Sequence, residues 1–166
     1  MEKIDCYIGI VSNHLYLNNL DSVIYYSEQI NNYDKISFTN RNKINLLKAK
    51  SYLKNNNESS AIDMLLTTIN LVKDESASEA QYLLAELFFS KNEKKQALET
   101  LYTLNENFIS QKYWVGKSYL LIAKIFISMD ENFQAKATLN SLIDNSEIEI
   151  IREDAIGLLN KLNRNE

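Results

Sequence analysis

The sequence predicts an all-α array of helical hairpins. Three observations carry this. The 166 residues contain no proline and only three glycines. Interior proline costs a helix about 3 kcal/mol and glycine about 1 kcal/mol, so a chain that avoids both reads as helix almost throughout. Apolar residues recur at helical spacing along the whole chain. Finally, one pattern is written more than once. "LAELFFSKNEKKQALETL" begins at Leu84 and "IAKIFISMDENFQAKATL" at Ile122, with Ala, Phe, a polar turn, Ala and Leu in the same order.

The repeat extends over the chain. Val11, Ala49, Ala85 and Ala123 are separated by 38, 36 and 38 residues, and so are Val23, Ala61, Ala97 and Ala135. Between the two sets lie the polar stretches "LNNLD", "NNNES", "SKNEK" and "SMDEN". Small residues on facing sides let two antiparallel helices approach closely. His14, Tyr52, Phe88 and Phe126 follow the first set at +3 and fill the groove beside that contact. Ser27, Leu65, Leu101 and Leu139 follow the second at +4. The turns need residues that tolerate unusual backbone angles, which asparagine does. Each unit is a hairpin that cannot bury its apolar face alone, and stacking buries it.

These positions resemble the tetratricopeptide repeat, a helix–turn–helix unit of about 34 residues. Ala49, Ala85 and Ala123 match its small position in the first helix, and Ala61, Ala97 and Ala135 match that of the second. Leu84 and Ile122 match the preceding leucine, and Tyr52, Phe88 and Phe126 match the aromatic. The chain departs from the pattern at the tryptophan position, which holds Tyr7, Asn45, Gln81 and Tyr119, and in lacking the terminal proline. Residues 79–162, with Tyr113, Trp114, Lys117, Ser118, Ala123 and "FQAKATL", are similar to the C-terminal region of long tetratricopeptide-repeat proteins of Bacteroidetes-type bacteria. The resemblance implies a right-handed α-α superhelix and a fragment of a larger cell-envelope protein. A periplasmic setting follows from the resemblance alone, and a cytoplasmic one remains open.

The expected hairpins span about 3–33, 40–72, 77–108 and 113–145, forming a single array. A last helix at about 147–163 has Ile148, Ile151, Ala155, Leu158, Leu159 and Leu162 on one face and caps the array. The stretch 31–40 is the longest expected connection.

Composition excludes several functions. The formal net charge is −4, and no dense Lys/Arg cluster offers the basic face that nucleic acid requires. No apolar run reaches the roughly 18 residues of a membrane span. Phosphate loops, dinucleotide fingerprints and HExxH are absent. The single histidine, His14, stands at a core aromatic position, and the single cysteine, Cys6, lies two turns away. Together they supply neither a zinc ligand set nor a thiolate–imidazole dyad. No cofactor, metal or catalytic group is expected.

The expected activity is therefore binding. First helices line the concave face of such arrays, and the candidate partner-binding residues there are Lys43, Lys50, Glu79, Tyr82, Glu86, Phe89, Lys117, Leu120, Lys124 and Ile127. Their charges alternate from unit to unit, which predicts two ladders, Lys43–Glu79–Lys117 and Lys50–Glu86–Lys124. Self-paired lysines would make a poor clamp for acidic tails. Tyr82, Phe89, Leu120, Ile127 and Leu15, where left exposed, would form an apolar strip for a peptide. Trp114 is expected to pack with Tyr113 at the start of the fourth hairpin. The leading expectation is a scaffold for an unknown protein or peptide. The alternative is a spacer or oligomerisation segment without its own groove, for which a homodimer is a natural form.

Overall fold

A computed structural model describes residues 2–31 and 36–164. Among them it has nine α-helices: α1 (Glu2–Tyr16), α2 (Leu20–Asn31), α3 (Phe38–Lys54), α4 (Glu58–Leu71), α5 (Glu75–Ser90), α6 (Lys94–Asn107), α7 (Lys112–Ser128), α8 (Asn132–Asn145) and α9 (Glu149–Arg164). No strand occurs among the described residues. Residues 32–35 of the expected connection at 31–40 lie outside the described residues. Its described end, Ile36 and Ser37, leads into α3, which Ser37 caps by accepting from the Asn40 amide at 3.1 Å. The chain packs as two compact units, Met1–Gln81 and Tyr82–Glu166, and the division falls within α5.

The repeat is most plainly visible in the turns. Four non-glycine residues have positive φ: Asn18 (60°), Asn56 (55°), Asn92 (62°) and Asp130 (60°). Their spacing is again 38, 36 and 38. Each donates its amide to the carbonyl three residues back, and the next residue donates to the carbonyl five back. The second bond runs Asn19–His14 (2.8 Å), Asn57–Tyr52, Glu93–Phe88 and Glu131–Phe126 (each 2.9 Å). This double bond closes a helix through a left-handed residue. Asn and Asp tolerate that conformation better than other L residues. Asn57, Glu93 and Glu131 are at the same time the residues on which α4, α6 and α8 begin. One helix thus stops and the next starts with no slack, so every hairpin turns in the same way.

The small positions then do what close approach requires. Val11, Val23, Ala49, Ala61, Ala85, Ala97, Ala123 and Ala135 are all fully buried. In the first unit, α1 packs on α2 and α3, α2 on α3, and α3 on α4. Its core joins Val11, Leu15, Val23, Ile30 and Ile44. In the second unit, α6 packs on α7, α7 on α8, and α9 on both α7 and α8. Leu120, Ala123, Leu139, Leu142, Ile151 and Ala155 form one cluster there, with Ile148, Leu158 and Leu159 at its edge. The exposed positions of α9 include Glu149, Glu153, Asn160 and Asn163, together with Ile150 and Ile156.

Two polar devices hold the irregular joints. Fully buried Asn42 on α3 donates to the Val72 carbonyl and to Asp74 Oδ1, each at 3.0 Å. Asp74 Oδ1 also accepts from the Ala77 amide at 3.0 Å and so caps α5. This knot fixes the α4–α5 break without a proline. Ser118 on α7, also fully buried, donates to Asn105 of α6.

Ser27 breaks the repeat. It takes the place of Leu65, Leu101 and Leu139, is fully buried like them, and its hydroxyl has no hydrogen-bond partner. A buried unsatisfied hydroxyl costs about 1–3 kcal/mol. Ser27→Ala is expected to raise stability by about 1 kcal/mol, read as a higher midpoint in chemical denaturation.

Candidate interaction face

The candidate residues divide between the two units. In the first, Lys43 is exposed while Lys50 and Glu79 are half-buried. Lys50 Nζ lies 2.5 Å from Glu79 Oε1. The expected rung from Lys43 to Glu79 is thus replaced by one that starts seven positions later on α3. Lys43 has no ion-pair partner among the described residues. Lys48, a residue at odds with the repeat pattern, is mostly buried and reaches Glu28 at 3.9 Å. Lys54 instead caps α1 by donating to the Leu15 carbonyl at 3.0 Å.

In the second unit, α5 and α7 bring Tyr82, Glu86, Tyr113, Trp114 and Lys117 together. Tyr82 is buried, and its hydroxyl donates to Glu86 Oε1 at 2.8 Å. Burial, helped by the Glu86 charge and this hydrogen bond, holds the phenol well above its ordinary range. Tyr82 therefore stays a neutral donor at any physiological pH. Its ring centroid is 5.5 Å from that of Trp114, which meets Tyr113 edge-on at 5.1 Å. Trp114 thus packs where the sequence places it, at the start of α7. Lys117 Nζ sits 5.8 Å from the Tyr82 ring centroid, a cation–π arrangement.

This arrangement corrects the second ladder. Glu86 is engaged by Tyr82, one turn away on its own helix, because the phenol lies between the two carboxylate positions of α5. Neither Lys117 nor Lys124 has a carboxylate within ion-pair distance among the described residues. Lys124 is exposed and Lys117 half-buried. The expected apolar strip is also reduced. Tyr82, Leu120 and Leu15 are buried, at 5%, 4% and 8% exposure. Only Phe89 and Ile127 remain half-open. What is left on the second unit's first helices is two lysines two turns apart on α7, with Phe89 and Ile127 as the apolar surface.

The remaining singled-out residues fall in place. His14 is half-buried and stacks on Tyr26 at 5.1 Å, while Tyr25 points to solvent. Cys6 is exposed. No group of three His, Cys, Asp or Glu side chains able to hold a metal ion occurs among the described residues. None of the described helices is long and apolar enough to cross a membrane. A concavity of about 630 Å³, which no sequence pattern announces, lies at the open end of the α7–α8 hairpin. Val115, Gly116, Tyr119, Ser141, Leu142 and Ile148 line it. Beside it, Lys112 pairs with Glu147 at 2.5 Å. Its walls come from a helix start, a helix end and a loop, which no periodicity connects.

The family model for the tetratricopeptide repeat matches residues 79–108 and 117–146. These are the α5–α6 and α7–α8 hairpins. No curated protein and no solved structure matches the chain significantly. Such repeats are generally protein–protein interaction modules. The two matched segments are thus tetratricopeptide repeats, and the two hairpins before them are closed by the same turn.

Proposed function

We propose that this protein is a non-catalytic scaffold that binds a segment of a partner protein on its first-helix face, which the sequence reading takes as concave. The observation that carries this reading is the pair Lys117 and Lys124. Neither has a carboxylate partner among the described residues, and both lie on one side of α7, seven residues or about 10 Å apart. A segment in the polyproline II conformation rises about 3.1 Å per residue and returns to the same face every third residue. Acidic residues three apart in a bound segment would therefore reach the two ammonium groups together. Phe89 and Ile127 offer an apolar surface for an aliphatic side chain between them. Charge-assisted hydrogen bonds of this kind are stronger than neutral ones. The net charge of −4 gives no long-range attraction for an acidic partner, so binding rests on these local contacts.

Selection from a random peptide library on the immobilised protein tests this. Enriched peptides should carry acidic residues three apart beside an aliphatic one. Lys117→Glu and Lys124→Glu should each weaken the enriched peptide by about tenfold or more, as loss of a charged pair implies. Glu99→Lys, at an exposed position of α6, should leave it unchanged. Enriched peptides without acidic bias, or binding that survives Lys124→Glu, would remove the proposal.

A further inference from the structure

The hairpin tips are uniform, but the residues that end the second helices are not. These are Val72 after α4, Phe108 after α6 and Ser146 after α8, at spacings of 36 and 38 residues. Phe108 and Ser146 also share a backbone bond, each donating its amide to the carbonyl four residues back at 2.9 Å. Phe108 is a buried aromatic, only 4% exposed. The repeat therefore writes an apolar side chain at this position twice and a small hydroxyl the third time. Ser146 lies in the wall of the concavity of about 630 Å³.

The walls around Ser146 carry open apolar surface. Tyr119 is 39% exposed, whereas its register equivalents Asn45 and Gln81 are both buried. Ile109, from the α6–α7 connection, is 73% exposed. Ile148 packs on the core cluster and forms part of the wall. Lys112 and Glu147 pair with each other, so the concavity offers no uncompensated charge and suits a neutral group. Asn145 donates its side-chain amide to the Ser141 carbonyl at 2.9 Å. Its side-chain carbonyl is left as an acceptor, and the Ser141 hydroxyl adds a neutral donor on the same helix.

We propose that this concavity is a socket for a phenylalanine side chain presented by a segment of a partner protein. The ring takes the position that Phe108 holds in the preceding hairpin, against Tyr119, Leu142 and Ile148. A volume of about 630 Å³ exceeds that of the ring alone and falls within the ~300–1,000 Å³ of pockets that enclose a ligand. The remaining space admits the backbone beside the phenylalanine, whose N–H and C=O match Asn145 and Ser141. A segment of chain uses both the apolar wall and this polar pair, and a free aromatic hydrocarbon uses only the first. Lys117 and Lys124 are not among the lining residues, so the socket stands or falls apart from the first-helix proposal.

Amide chemical shifts of the labelled protein, followed during titration with two blocked neutral tripeptides, test the socket. One is acetyl-Ala-Phe-Ala-amide and the other acetyl-Ala-Ala-Ala-amide. The phenylalanine peptide should shift Val115, Tyr119, Leu142 and Ile148 in a saturable way and bind about tenfold or more tightly than its alanine counterpart. Ser146→Phe should abolish that response, because the chain then supplies its own ring. It should also raise the melting temperature by about 2–4 °C by filling the cavity. Tyr119→Ala should weaken the phenylalanine peptide several-fold with the helical circular dichroism unchanged. Equal responses to the two peptides, or a response that survives both substitutions, would overturn the proposal. So would toluene shifting these amides when the phenylalanine peptide does not, which would mark a pocket for a free small molecule.

Discussion

Gly116→Val is expected to destabilise the second unit by about 3 kcal/mol and to loosen α9. A Cβ at position 116 would come within 2.9 Å of Ile151 Cγ2 and 3.0 Å of Cγ1. Ile151 is fully buried in the cluster that joins α7, α8 and α9. It is β-branched, so χ1 rotation offers little relief. Gly116→Ala gains about 1 kcal/mol in helix propensity, which offsets part of an overpacking cost of about 1–3 kcal/mol. Valine adds two methyl groups and gives back most of the propensity gain. Denaturant unfolding followed by Trp114, the single tryptophan, reads this unit directly. Amide exchange should speed up along α9 before it does in α6. Combining Gly116→Ala with Ile151→Ala should cost less than the sum of the two by about 1 kcal/mol, because the truncation removes the clash. Strict additivity would mean that α9 sits further from α7 than the structure has it.

Leu139→Ala is expected to cost about 3 kcal/mol. Leu139 is fully buried on α8 and packs with Leu120, Ala123, Leu142, Ile151 and Ala155. Truncation removes its transfer energy and leaves a cavity whose walls belong to three helices, each held at its own turn. The cluster therefore has little freedom to collapse. Ile156→Ala, on α9 but 42% exposed, should change stability by no more than about 0.5 kcal/mol. Similar costs at the two positions would contradict the assignment of the core.

The expected all-α hairpins are present, and particular residues show why that part was legible. Close helix approach demands small side chains, so Ala49, Ala61, Ala85, Ala97, Ala123 and Ala135 mark the contacts directly. A left-handed turn residue demands Asn, Asp or Gly, so Asn18, Asn56, Asn92 and Asp130 mark the hairpin tips. Their spacing also fixes the register of the second hairpin, where Asn45 and Lys48 disguise the pattern by being buried polar residues.

The charge pairing was not legible. Charges that alternate from unit to unit predict Lys43 as the partner of Glu79, but Lys50 takes that place. Which lysine reaches a given carboxylate depends on side-chain packing between helices, which a single sequence does not encode as a period. Nor did spacing reveal that Tyr82 would be buried and would take Glu86 for its hydroxyl. That pairing takes up Glu86, the carboxylate expected for Lys124.

The most direct test of the binding account is to map a peptide on the molecule. Amide chemical shifts of the isotope-labelled protein would be followed during titration with the tightest peptide from the selection. The account expects the largest changes at Glu86, Phe89, Lys117, Lys124 and Ile127, on α5 and α7. Changes confined to α6 and α8, or to the concavity beside Gly116, would contradict it.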